Sequence, residues 1–495
     1  MKFISTRDTK GDTLVSSAFA IKQGLAPDGG LYVPEYIPTI DKNFVTSLLK
    51  LSYPEKAAKI LSLYLDDFTF EELLDYANAA YTNGVFPQEV APLASVDNKL
   101  SVLELWHGPT AAFKDFALCI MPHLLTASLK KLGETRTAMI LVATSGDTGK
   151  AALEGYKDVK GIKIKVFYPV DGVSKVQKLQ MITQSGSNVD VCAIKGNFDD
   201  AQTGVKKIFS NSQIAEKLNA KGYFLSSANS INWGRLAPQI VYYFAAYCEL
   251  LSKNAITYGD KVDFCVPTGN FGNILAGYIA KKMGLPVGKL VCASNSNNIL
   301  TDFLNTGVYD RNRQFHTTIS PSMDILISSN LERLIYFAAG SGTVVNCMKS
   351  LADSGSYTID KDLLKIISTD FCGYYANEAN TTDTISYIYD TYNYLADPHT
   401  AVGLYCSNNY VNDTNSANHM VVLSTASPYK FAASVYKSLT KCIPPEGYGA
   451  LTVLSELTGK PISTPLAGLD KRSVRFTRVC TPDEMAEDLF EHLED

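Results

Sequence analysis

The chain has 495 residues, of which 46% are hydrophobic and 19% charged, with 45 basic against 50 acidic side chains and a net charge of −5. Its length allows roughly three domains and a core large enough to enclose a cofactor cleft. The acidic balance and the lack of a basic run exclude an electrostatic nucleic-acid binder, so any anionic ligand must be held by a few local donors.

The ten cysteines include no C-x-x-C pair, and the six histidines show no H-x-x-H or H-x-x-x-H spacing. No metal site is expected. Scattered thiols of this kind fit a reducing cytosol. The opening "MKFISTRDTKGDT" carries charges and no apolar h-region, unlike a secretory signal. No apolar run reaches membrane-spanning length, and "VYYFAAYCELL" (241–251) reads as a core helix. A cytoplasmic protein without membrane or nucleic-acid partners is expected.

In chain order, residues 1–97 open with a Pro/Gly-punctuated loop, "GLAPDGGLYVPEYIP", followed by helical patterning such as "FEELLDYANAAY" (70–81). They read as a small N-terminal domain against a catalytic body spanning 98–495. In that body, short Val/Ile-rich runs alternate with helical patterns. Strands are expected at 138–143, 162–169, 189–194, 262–267, 289–294 and 420–425. Such runs indicate parallel strands covered on both faces. The class is α/β with open, mostly parallel sheets, and a smaller α/β subdomain falls roughly at 130–230. "NTGVYDRNRQFHTTISPSMD" (305–324) reads as a long surface connection.

"HGPTAAFKDF" (107–116) sets Lys114 among apolar neighbours. The bland reading is a solvated lysine with its stem along the phenylalanines. The chemical reading is a lysine of lowered pKa, usable as an amine toward a carbonyl. Phe113, Phe116, Ala117, Ile120 and Leu124 form one helical stripe, which Pro122 is expected to kink or break. In the first turn of that helix the dipole disfavours a cation, which supports the chemical reading.

Three further segments end a strand and open a turn. "ATSGDTGKAA" (143–152) lacks the Walker spacing, but Thr144, Ser145, Asp147 and Thr148 supply hydroxyls and amides suited to a carboxylate at a helix start. The alternative is an ordinary N-cap. "GNFGN" (269–273) follows a strand and precedes a helix, so Gly269, Asn270, Phe271, Gly272 and Asn273 read as a phosphate cradle. A plain turn is the alternative. "VVLSTASP" (421–428) ends a strand at Ser424 and Thr425, where a hydroxyl could meet a cofactor ring nitrogen. "NSINWGRLAPQ" (229–239) brings Asn229, Ser230, Asn232 and Arg235 together, either as a phosphate clamp or as a capped helix start.

Together these segments resemble the threonine synthase family, pyridoxal 5'-phosphate (PLP) enzymes of fold type II related to tryptophan synthase β. "GLAPDGGLYVPE" is similar to the family's N-terminal signature. "HGPTAAFKDF", "ATSGDTG", "GNFDDAQ", "NSINWGRLAPQ", "PTGNFGN", "DPHTAVG" and "STASPYKF" resemble further blocks in the family's order. The resemblance implies Lys114 as the Schiff-base lysine and proton shuttle. It implies Gly269–Asn273 around the PLP phosphate and Thr425 at the pyridine nitrogen. Thr144, Ser145 and Thr148 would meet the substrate carboxylate, with Asp147 near a cofactor oxygen and Asn232 and Arg235 at the substrate phosphate. The implied reaction turns O-phospho-L-homoserine and water into L-threonine and phosphate, by β-deprotonation, γ-elimination and β-hydration. A related fold type II phospholyase or serine/threonine dehydratase is the alternative, and a PLP-binding protein without catalysis is a third. Ser427 stands where the family's last motif usually has histidine, which puts that histidine's role in doubt. Monomer and homodimer both stay open.

Overall fold

Every apolar run read above as a strand pairs with another in the computed structural model, which describes residues 1–494 apart from the side chains of Asp199 and Glu494. The strands are β1 (Phe3–Ser5), β2 (Tyr32–Pro34), β3 (Leu93–Ser95), β4 (Leu100–Glu104), β5 (Thr137–Ala143), β6 (Ile162–Pro169), β7 (Val189–Ile194) and β8 (Tyr223–Ser227). They continue with β9 (Val262–Pro267), β10 (Val287–Ser294), β11 (Val308–Asp310), β12 (Ser356–Thr358), β13 (Phe371–Tyr375), β14 (His419–Ser424) and β15 (Val479–Cys480). A six-stranded sheet runs β13-β10-β9-β14-β4-β3 and a five-stranded sheet runs β15-β7-β6-β5-β8. All neighbours in both are parallel except the β3–β4 hairpin. Helices cover both faces, which is why β7, β9 and β14 are buried along their whole length.

Residues 1–97 pack their helices into the same core as the catalytic body. Tyr53 meets Phe116 with ring centroids 5.6 Å apart, and Phe3 meets Trp233 at 5.4 Å. Edge-on aromatic pairs of this kind add about 0.5–1.5 kcal/mol beyond the area they bury. The smaller sheet takes four strands from 137–227, but one of its two edge strands, β15, returns from near the C-terminus. A two-residue strand carries no periodicity from which to read it.

The helical stripe after Lys114 is two helices, Asp115–Leu118 and Met121–Lys131. Pro122 lies in the first turn of the second, where its missing N–H is no loss. Lys114 is the N-cap residue of the first.

The 305–324 stretch follows the surface reading at 314–317, which are exposed, and departs from it elsewhere. Tyr309, Ser320, Met323 and Asp324 are buried, and the segment contains β11, paired with β12. Its buried carboxylate is satisfied by the loop after β10 as well as from within the segment. The Asp324 carboxylate accepts from Asn295 at 2.7 Å, Asn297 at 3.0 Å and the Thr318 hydroxyl at 2.7 Å. A polar loop can be buried when its groups find such partners.

Candidate active site

The carboxyl ends of β5, β9 and β14 converge on a cavity of about 1190 Å³. Open parallel sheets present ligand sites at these strand ends. The larger sheet supplies Gly269–Asn273 and Thr425 to the lining, and the smaller supplies Thr144, Ser145 and Thr148. The N-terminal segment adds Arg7 and parts of 23–31, so the loop "GLAPDGG" is a wall of the cavity.

Lys114 reaches this cavity from a short loop tied to the end of β14. The Phe113 N–H donates to the Thr425 carbonyl at 2.9 Å, and Ala112 bridges Ala426. Lysine and threonine are thereby locked to one another. Burial pulls the Lys114 ammonium down to about 8, opposed by Asp147 and reinforced by Arg235 and Lys430. The lowered value agrees with the chemical reading, but its main cause is desolvation rather than a helix dipole, because the following helix has only four residues.

The turn "GNFGN" joins β9 to the helix Gly272–Met283. Phe271 caps that helix in the left-handed region at φ 61°, a conformation that costs a non-glycine residue roughly 1 kcal/mol or more. Two of the turn's carbonyls are already engaged: Gly269 O accepts from Ser328 Oγ at 2.7 Å and Asn270 O from Asn330 Nδ2 at 3.0 Å. The N–H groups of a helix's first turn have no intrahelical partner. Asn273 adds a side-chain donor. Its Oδ1 accepts from Tyr242 and Tyr243 at 2.7 and 3.0 Å, while its buried Nδ2 has no partner. A Cβ on Gly269 would lie 2.6 Å from the Ser322 carbonyl, so this glycine also lets the Pro321–Met323 turn approach Lys114.

In the loop after β5, Thr144 Oγ1 accepts from the N–H groups of Gly146 and Gly149 at 2.9 and 2.8 Å and so shapes the turn. Ser145 and Thr148 are half-buried and line the cavity. Asp147 is not a lining residue. It is buried behind the wall, where its carboxylate lies 2.7 Å from Lys430 Nζ and 3.5 Å from Lys114 Nζ. Burial opposes its ionisation, but Lys430 and Lys114 hold it well below the usual carboxylate range.

Asn232 is the N-cap of the helix Trp233–Ser252. It accepts from Gly234 N–H at 2.9 Å and donates to Ile21 O at 2.9 Å, outside the lining. Arg235 does line the cavity. Its Nη1 donates to Ala228 O at 2.6 Å, its buried Nε has no partner, and burial lowers the guanidinium to about 10. Ser427, at the family's histidine position, is buried and caps the Pro428–Phe431 turn, also outside the lining.

Several lining groups carry no signal strong enough to single them out in the sequence. His399 Nδ1 meets Asp397 Oδ1 at 2.7 Å, and its Nε2 accepts from Ser322 N–H at 3.2 Å. Ser322 Oγ lies 3.4 Å from Lys114 Nζ. Arg7 lines the cavity with its charge answered by Glu332 at 2.8 Å. Asp397 and His399 sit inside "DPHTAVG", so that block was the only pointer to them. Among the described residues one group has metal-ligand spacing, Cys192, Cys480 and Asp488. The Lys165 ammonium already supplies a cation there, 2.6 Å from Asp190 and 2.5 Å from Asp488.

A buried amine of lowered pKa, a glycine turn with an orphan amide donor and a hydroxyl at the end of β14 have the chemistry to fit PLP in its carbonyl, phosphate and ring. Fold and site define a PLP-dependent enzyme of fold type II. The pyridoxal-phosphate-dependent enzyme family model matches residues 88–425, with the threonine synthase N-terminus model at 2–81 and the threonine synthase C-terminal model at 400–487. The chain belongs to the threonine synthase family. It is 37% identical to threonine synthase of Saccharomyces cerevisiae over 88% of each chain. It is 39% identical to human threonine synthase-like 1 over 88% of this chain, which spans 60% of that relative's length. The solved PLP-bound threonine synthase of Brucella melitensis superposes with a TM-score of 0.87 at 36% identity, covering 100% of both chains.

One substitution tests the cradle. A Cβ on Gly272 would meet Ser230 Cβ at 3.3 Å and Asn330 Nδ2 at 3.4 Å. Gly272→Val is expected to weaken PLP binding at least about tenfold, the scale of one charge-assisted hydrogen bond. Melting of the cofactor-free protein should change far less. Unchanged PLP affinity in an equilibrium titration would reduce "GNFGN" to a turn.

Proposed function

We propose that the chain converts O-phospho-L-homoserine and water to L-threonine and phosphate, the last step of threonine biosynthesis. The observation that carries this reading is the buried Lys114 amine, drawn down to about 8, in one cavity with the "GNFGN" turn and Arg235. When bound, PLP supplies an electron sink for the pair released from a Cα–H bond.

In this reading Gly269–Asn273 hold the cofactor phosphate and Thr425 meets the ring nitrogen. A neutral hydroxyl there does not enforce a protonated ring. Ser145 and Thr148, on a turn shaped by Thr144, receive the substrate carboxylate. Arg235, steered by Ala228 O, meets the substrate phosphate together with Asn229 and Ser230. Its unpartnered Nε supports that assignment. At pH 7 about a tenth of an amine with a pKa near 8 is neutral. Lys114 Nζ can therefore take protons from Cα and Cβ and return them to Cγ and Cα. Arg235 acts again as charge builds on the departing phosphate.

The rival reading, a related fold type II phospholyase or dehydratase, is distinguished by its product. Incubation with O-phospho-L-homoserine is expected to release phosphate and threonine in equal amounts. Phosphate with 2-oxobutyrate and ammonia would mean a phospholyase. Turnover of serine or threonine alone would mean a dehydratase.

A further inference from the structure

Lys430 is fully buried, yet it is not part of the cavity wall. It lies on the Pro428–Phe431 turn and donates to Thr110 O at 3.0 Å and to Asp147 Oδ1 at 2.7 Å. Gln177 Nε2 donates to the same Oδ1 at 2.8 Å. Only Oδ2 is left to face the cavity side, where Ser322 Oγ stands 3.2 Å away and Lys114 Nζ 3.5 Å away. A charge-assisted N–H···O bond is about 2.7–2.9 Å long, so the tight partner of Asp147 is Lys430 and the loose one is Lys114.

We propose that Lys430 is a positioning residue that occupies Asp147 from behind the cavity wall and so keeps Lys114 free to act as an amine. This rests on the reading of Lys114 as the reactive lysine.

The physics is that of two cations sharing one anion. Were Asp147 the counter-ion of Lys114 alone, the carboxylate would close on that ammonium and hold its proton. With Lys430 in place, Asp147 is neutralised whether or not Lys114 is charged. Lys114 can then lose its proton without leaving a buried carboxylate unpaired, a loss that is otherwise strongly destabilising. The other groups around Lys114 act in the same direction or stand back. Arg235, from the helix Trp233–Ser252, repels the ammonium. Asp115, next in the chain, turns its carboxylate to the Thr110 N–H at 2.9 Å and hydroxyl at 2.5 Å. His399, from the helix Pro398–Thr414, meets the Ser322 N–H while the Ser322 hydroxyl faces Lys114.

The test is the pH dependence of Lys114 reactivity. In the cofactor-free full chain, acetylation of residue 114 by acetic anhydride, followed by peptide mass spectrometry, reports the amine's midpoint. In the holoenzyme, the pH titration of the visible band gives a second reading. Lys430→Met is expected to raise both midpoints by about one unit. The double variant Lys430→Met/Asp147→Asn, which removes both charges, is expected to show no such rise. An unmoved midpoint in a folded Lys430→Met protein, or an equal rise in the double variant, overturns the proposal. Should Lys430→Met fail to fold, Asp147→Asn set against the double variant isolates the same charge. The midpoint should then be lower by about one unit where Lys430 is retained, and equal midpoints overturn the proposal. Borohydride fixation of PLP to the peptide containing residue 114 separates the two levels. If that peptide is not labelled, the assignment of Lys114 falls. If it is labelled and the midpoints stay put, only the role of Lys430 falls.

Discussion

Lys114→Ala is expected to lower kcat by at least about 10³-fold, the scale of a lost general acid–base group, while the chain still folds. The fold should survive because the substitution removes a desolvated cation without orphaning its neighbour. Asp147 keeps Lys430 at 2.7 Å, Gln177 at 2.8 Å and Ser322 at 3.2 Å. The cofactor-free variant should therefore melt within about 1 °C of the parent, the shift that corresponds to roughly 1 kcal/mol in a chain of this size. Borohydride reduction of the parent should leave PLP on the peptide containing residue 114, and that label should vanish in the variant. Label on a different lysine overturns the assignment, as does residual turnover near the parent level.

Arg235→Ala is expected to raise KM and lower kcat together, by about 10- to 100-fold in kcat/KM, the range for a lost hydrogen bond to a charged group. Bound PLP should be unchanged. The variant should also move the Lys114 midpoint upward, because the guanidinium is one of the charges that depress it. Arg235→Lys should restore the midpoint more fully than the rate, since an ammonium supplies the charge but not the two-pronged geometry. Near-parental kinetics for Arg235→Ala would remove it from the substrate phosphate. The search would then pass to Arg7, Arg311 and Lys349, which line the same cavity.

Much of the catalytic body was legible from local pattern. The runs at 162–169, 189–194 and 262–267 are β6, β7 and β9 to the residue, because strands buried on both faces need a mostly apolar sequence, interrupted here only by Lys163, Lys165, Asp190 and Asp263. β8, "YFLSS", escaped notice. It is an edge strand of the smaller sheet, half-exposed at its start, and has no Val or Ile. The surface reading of 305–324 holds for its middle, where 314–317 are exposed, and fails at its end, where Ser320, Met323 and Asp324 are buried. What lets that end be buried is hydrogen bonding of Asp324 with Asn295, Asn297 and Thr318, which composition does not record.

By itself the sequence determined which chemistry was available: an amine among apolar residues, a glycine turn between strand and helix, and hydroxyls at strand ends. Each is a local property, set by residue type and spacing over a few positions. Tertiary structure alone decided how these groups meet. Lys114 contacts Ser322 across 208 residues of chain, and Thr110 meets Lys430 across 320. The same packing sent Asp147 behind the wall to Lys430 and spent Asn232 on a helix cap, while it turned Arg235 into the cavity. The reason is physical. A side chain's charge and pKa depend on what else is buried within a few ångströms of it, and in a chain of this length those neighbours come from distant segments.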